Sequence, residues 1–151
     1  VFAVAGYRMG ERALTDLKFP RGSFALEVIH RTPSEVQWSC IADGLQAATG
    51  ASAGKLNLRL VESPAGAVTT EVTNRRTGQR LVFELQPEFV RRFLNLPIDQ
   101  PPAAGKEVMD ARERNFPAFP LNSGGREKMG GTVVRLWCGV SLQTAYLSNK
   151  V

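Results

Sequence analysis

The sequence predicts an α+β fold in which an antiparallel sheet is flanked by helices. Apolar residues recur at helical spacing near the N-terminus and again from Ser39 to Thr49, whereas three successive segments between Leu56 and Leu85 alternate in the manner of strands. A length of 151 residues with 43% apolar content suffices for one domain with a proper core and is too short for two ordinary ones. The expected organisation is a core over residues 1–97, a Pro/Gly-rich linker over 98–131, and a C-terminal strand or tail over 132–151.

Val1 to Leu17 place Phe2, Gly6, Met9, Ala13 and Leu17 at helical spacing, with Arg8, Glu11, Arg12 and Thr15 on other faces. Gly6 and Gly10 lie four apart, so another backbone can approach that face closely. Each glycine costs about 1 kcal/mol relative to alanine, which points to tight packing. The chain enters this pattern at Val1 without a methionine, and an upstream segment is expected. Phe19-Pro20-Arg21-Gly22 breaks the helix. Phe24, Leu26, Val28 and His30 then share one face of a strand that Thr32-Pro33 ends.

A second helix is predicted over Ser39 to Thr49, with Gly50 as its left-handed stop. Leu56, Leu58 and Leu60 alternate with Asn57, Arg59 and Val61, and Ser63 to Gly66 form a turn. Val68 to Thr73 and Leu81 to Leu85 are joined by hairpin chemistry at Asn74 to Gly78, so three strands in antiparallel order are the simplest arrangement. Pro87 opens a short helix with Phe89, Val90, Phe93 and Leu94 on one stripe. Pro101, Pro102, Pro117 and Pro120, with several glycines, give the following stretch the texture of linker and loop. Thr132 to Val140 has the bias of a strand, to be paired with the main sheet or with a second copy of the chain.

The net charge of +5 would permit an acidic partner, but the basic residues are spread along the chain. Without a nucleic-acid motif or a basic run interleaved with aromatics, nucleic acid is not expected as a partner. Cys40 and Cys138 are the only cysteines, which argues against a disulfide framework. No apolar stretch is long enough to span a bilayer and no signal segment is visible, so a soluble, cytoplasmic protein without membrane contact is expected.

The densest chemistry lies in Ser39 to Leu60, SCIADGLQAATGASAGKLNLRL. On a helix, Cys40, Asp43 and Gln46 form one strip and Ile41, Leu45 and Ala48 another roughly opposite it. The apolar strip can bury while the chemical strip faces a cleft. Taken alone, Cys40 reads as a small buried hydrophobe; burying the whole strip, however, would leave Asp43 and Gln46 to be satisfied in the core. A cysteine near a helix start also feels the positive end of the dipole, which favours thiolate, the form that binds metals or attacks electrophiles. Thr49, Lys55 and Asn57 follow near the turn as candidate contacts to an anionic or carbonyl-bearing substrate, although a lone lysine by default extends into solvent.

Other constellations are weaker. The TGASAGK segment has a shorter spacing than a P-loop and leads into a strand instead of a helix. A structural zinc site needs four ligands at paired spacings, and neither a CxxC nor two nearby histidines occur. His30, the only histidine, reads first as a strand-end residue with a satisfied ring and second as a metal ligand. With no GxSxG elbow, a Ser-His-Asp triad has little support.

The block SCxxDGxQxxTGxxxGKxNL resembles the E-subunit family of formylmethanofuran dehydrogenase. Ser39, Cys40, Asp43, Gly44, Gln46, Thr49, Gly50, Gly54, Lys55, Asn57 and Leu58 fit it without a gap. GYRMGERAL from Gly6 and NRRTGQRLVFEL from Asn74 are similar to other parts of the same core, over roughly residues 1–97. The resemblance implies an α+β core with an antiparallel sheet, an intertwined homodimer, and a divalent metal, zinc by preference, bound by Cys40. It implies further metal ligands from a histidine-containing segment before the first helix. It also implies a place in a larger enzyme complex of C1 metabolism, an oxidoreductase whose redox centres reside in other subunits.

Three functions follow as expectations. The first is a metal-binding domain in which Cys40 ligates the metal, Asp43 orients the site, and Gln46, Thr49, Lys55 and Asn57 contact a small-molecule ligand. The second is a metal-free thiol enzyme with Cys40 as nucleophile and Asp43 or His30 as its partner. The third is a non-catalytic assembly subunit.

Overall fold

A computed structural model describes residues 1–96 and 101–110, together with the backbone of a strand at 132–136. Its elements are α1 (Phe2–Asp16), β1 (Leu26–Thr32), α2 (Val36–Thr49), β2 (Leu58–Glu62), β3 (Thr69–Asn74), β4 (Arg80–Leu85), α3 (Pro87–Phe93), α4 (Pro101–Asp110) and β5 (Thr132–Leu136). The α+β class, with a sheet flanked by helices, is as expected. Cys138 and the remaining parts of the expected linker and tail lie outside the described residues.

The order of the strands differs from the expected one. They run β2-β1-β3-β4-β5, so β1 separates β2 from β3. β1 is antiparallel to β3 and β3 to β4, but β2 joins β1 in parallel, with Val28 opposite Leu58, and β5 joins β4 in parallel. The sheet is therefore mixed, and β1, α2 and β2 form a strand-helix-strand crossover. Leaving β2 at the edge also accounts for its side chains. Leu58 is buried, whereas Leu60, on the same alternating set, is 51% exposed.

One face of the sheet is the core face. Leu26, Val28, Val72, Leu81 and Phe83 meet the buried stripes of α1 and α2 there. α1 lies along α2 because glycines remove the side chains between them. A Cβ added at Gly6 would overlap the Ile41 carbonyl, and one at Gly44 would overlap that of Ala3. The close approach expected at Gly6 is thus made, with Gly44 as its counterpart on α2. Phe2 stacks edge-on against Trp38 at 5.1 Å and Phe89 at 5.7 Å, joining α3 to the same core.

The opposite face of the sheet carries a ladder of charges. Glu27 accepts from Arg75 at 2.8 Å and Arg59 at 3.1 Å, and Glu71 pairs with Arg80 at 3.4 Å and Arg31 at 3.6 Å. The Arg75 bond, supported by Arg59 and opposed by burial, holds the Glu27 carboxyl below its ordinary pKa.

The stretch expected as linker contains α4. Pro101 and Pro102 occupy its start, where a missing N–H costs nothing, and Ala104 and Val108, one turn apart, are buried. Arg8 of α1 donates to the Val108 carbonyl at 2.7 Å. Weighting the prolines as breakers hid a helix that they open.

Candidate functional site

α2 begins at Val36, three residues before the sequence pattern places it, and its two sides differ sharply. Ile41, Leu45 and Ala48 are buried in the core. On the outward side Asp43 and Gln46 are exposed, and Cys40 is partly buried against the core's margin. The early start puts Cys40 in the second turn, beyond the first-turn N–H groups that concentrate the helix's positive end. Cys40 and Asp43 stand one turn apart, a spacing that sets Cβ atoms about 5–6 Å from each other. Neither side chain has a hydrogen-bond or ion-pair partner among the described residues.

The C-terminal end of α2 has a different character. Gly50 takes φ 69° and ψ 8°, and its N–H closes on the Gln46 carbonyl at 2.9 Å, the left-handed stop that the sequence predicts. Thr49 is fully buried; its hydroxyl donates to the Leu45 carbonyl at 2.6 Å and accepts the Ala51 N–H at 3.1 Å. Lys55 Nζ donates to the Gly50 carbonyl at 2.8 Å, and Arg21 donates twice to the Ala47 carbonyl, at 3.1 and 2.9 Å. These cations satisfy terminal carbonyls and oppose the negative end of the helix.

Asn57 completes that end. Its amide Nδ2 donates to the carbonyls of Leu26 at 3.0 Å and Ser23 at 3.3 Å, while Oδ1 accepts the Ser52 N–H at 3.0 Å. The side chain is 1% exposed and fastens the 50–57 turn to the start of β1. Of the sequence-nominated residues, the structure thus brings Cys40 and Asp43 together, with Gln46 further along the same side. It sets Thr49, Lys55 and Asn57 at the far end, about 15 Å of helix axis from Cys40 to Gly50.

His30 is wholly buried on the core face of β1. Its Nε2 lies 3.0 Å from the Trp38 carbonyl and its Nδ1 2.9 Å from the Thr70 hydroxyl. A carbonyl can only accept, so Nε2 carries the proton and Nδ1 accepts from Thr70. Burial pushes the pKa of the ring down, against the opposing pull of its hydrogen bonds to the backbone at Trp38 and Thr69. With both nitrogens engaged, the ring ties α2 to the sheet and offers no lone pair to Cys40 or a metal. The role of Trp38 was not visible in the sequence, because its backbone oxygen, not its ring, makes the contact.

Zinc with an open position takes three protein ligands. Cys40 and Asp43 are two side chains of the ligand types, and no three His, Cys, Asp or Glu side chains gather into a donor set among the described residues. The described residues thus offer at most two of the three protein ligands such a centre needs.

A family model described as "FmdE, Molybdenum formylmethanofuran dehydrogenase operon" matches residues 1–116. The match runs past the expected core boundary at residue 97 and takes in α4. Comparison with curated proteins gives no match.

Proposed function

Because the chain belongs to the FmdE family, we propose that it is a metal-binding accessory domain of a formylmethanofuran dehydrogenase-related system of C1 metabolism. Cys40 and Asp43 supply two donors for a divalent ion, zinc by the preference of thiolate for such ions, and the other donors come from a second copy of the chain or from residues beyond those described. The observation that carries this reading is the pairing on α2. A thiol and a carboxylate stand one turn apart, the thiol at the core's margin and the carboxylate exposed, and neither has a hydrogen-bond or ion-pair partner among the described residues. Gln46, on the same side, is the nearest polar group for a bound small molecule. The metal would act as a Lewis acid toward a ligand's oxygen. Thr49 and Asn57 hold the helix end in place.

The domain works as a homodimer within a larger complex whose other subunits carry the redox step. No described helix is long and apolar enough to cross a membrane.

Elemental analysis of the full-length protein tests the site. About one divalent ion per protomer is expected, lost in Cys40→Ala and reduced in Asp43→Asn. Equal metal content in wild type and Cys40→Ala, or none above background in either, would overturn it.

A further inference from the structure

At the end of the molecule away from Cys40, the loop after α1 forms one wall of an open cleft of about 550 Å³, lined by Lys18, Arg21, Phe19, Phe24, Arg76 and Thr77 among others, and by no carboxylate. Elsewhere the described cations mostly pair with acids: Arg59 and Arg75 share Glu27, Arg31 and Arg80 share Glu71, and Arg12, Arg91, Arg92 and Lys106 each have an acidic partner. Lys18, Arg21, Lys55 and Arg76 have none among the described residues. Lys18, Arg21 and Arg76 line this cleft, and Lys55 Nζ sits 5.4 Å over the ring of Phe24, another of its lining residues.

Helix ends explain only part of this charge. Arg21 and Lys55 are bonded to the Ala47 and Gly50 carbonyls at the end of α2. Those bonds fix the two cations in place while leaving further N–H groups of each unused. Lys18 and Arg76 are exposed, and neither side chain bonds a carbonyl at the end of α2, although the backbone N–H of Lys18 closes on the Thr15 carbonyl at the end of α1. The φ of 54° at Lys18 is the left-handed turn that ends α1, closed by the Phe19 N–H on the Leu14 carbonyl at 3.0 Å. Phe24 is 69% exposed beside them.

We propose that this cleft binds a small oxyanion ligand, carrying phosphate or several carboxylates next to a flat ring. The anionic groups would sit among Lys18, Arg21 and Arg76, and the ring would lie against Phe24. Charge-assisted bonds from guanidinium and ammonium groups supply recognition of the oxyanion, and an exposed aromatic face supplies the apolar contact. The cleft is independent of Cys40 and Asp43, so its occupancy does not depend on metal.

Calorimetric titration of the full-length protein with phenyl phosphate, inorganic pyrophosphate and citrate at low ionic strength tests this, with a Lys18→Gln/Arg76→Gln double variant. Saturable binding is expected, weakening as salt rises and falling about tenfold or more in the double variant. Preference for phenyl phosphate or pyrophosphate over citrate would identify phosphate as the anion, and the reverse would identify carboxylate. A charge-matched Arg91→Gln/Arg92→Gln variant, altered away from the cleft, should bind within about twofold of wild type. Thermal melts of both variants confirm folding, and Lys18→Gln alone serves if the double variant is unfolded. The proposal is overturned if no probe binds saturably, or if the two double variants lose affinity equally.

Discussion

Asn57 shows how one side chain can look like a ligand contact and serve the fold. Following a lysine at the head of a strand, it has the position of a substrate-binding amide, yet it joins Ser52, Leu26 and Ser23 in the interior. Spacing along the chain gives no sign that Leu26 will be its neighbour, because that contact depends on how β1 meets the turn. Asn57→Ala is expected to lower unfolding stability by about 2–3 kcal/mol, since it leaves buried backbone groups unpaired, measurable by urea denaturation. His30 has a similar history and a pH signature. Its pKa is lowered from 6.5, so below that value the unfolded chain binds a proton that the native ring resists. The stability it supports is present above 6.5 and is lost as pH falls toward the depressed native value. The melting temperature should therefore drop between about pH 6.5 and pH 5, and His30→Gln should flatten that slope. An unchanged slope would contradict the buried, neutral ring.

Among the elements, the α1–α2 pair was the most legible. The four-residue spacing of Gly6 and Gly10 indicated close approach, and the alternation of apolar and polar strips on α2 indicated which side is buried. Strand order was not legible, because a period of two reports which face a side chain takes and not which strand lies beside it. The glycines separate packing from motif membership. Gly44→Ala must push Ala3 backbone away and should cost about 3 kcal/mol or more. Gly10→Ala crowds the side chains of Ala48 and Thr49 and meets the Leu45 carbonyl only at ordinary contact distance, so its cost should be smaller. Gly54, equally part of the GK motif, has nothing within 4 Å of an added Cβ, so Gly54→Ala should stay within about 0.5 kcal/mol of wild type. Chemical denaturation of the three variants checks that ranking.

At the scale of the whole molecule, α2 divides the chemistry of the chain between its ends. The C-terminal end is capped by Arg21 and Lys55 and locked by Asn57, beside a cleft whose cations have no acidic partner among the described residues. Nearer its start, Cys40 at the core's margin and the exposed Asp43 have no polar partner among the described residues, on a helix that His30 and Gly44 fix to the sheet and to α1. The motif from Ser39 to Leu58 runs through α2 and its exit turn, so it takes in both the Cys40 and Asp43 pair and the capped C-terminal end. The most direct measurement is titration of metal-free, full-length protein with cobalt(II), read by the near-ultraviolet band of a thiolate bound to cobalt. A saturable band at about one equivalent is expected, absent in Cys40→Ala, weakened in Asp43→Asn, and retained in Lys55→Gln. A band that persists in Cys40→Ala, or no band in the wild type, would contradict a metal centre on α2.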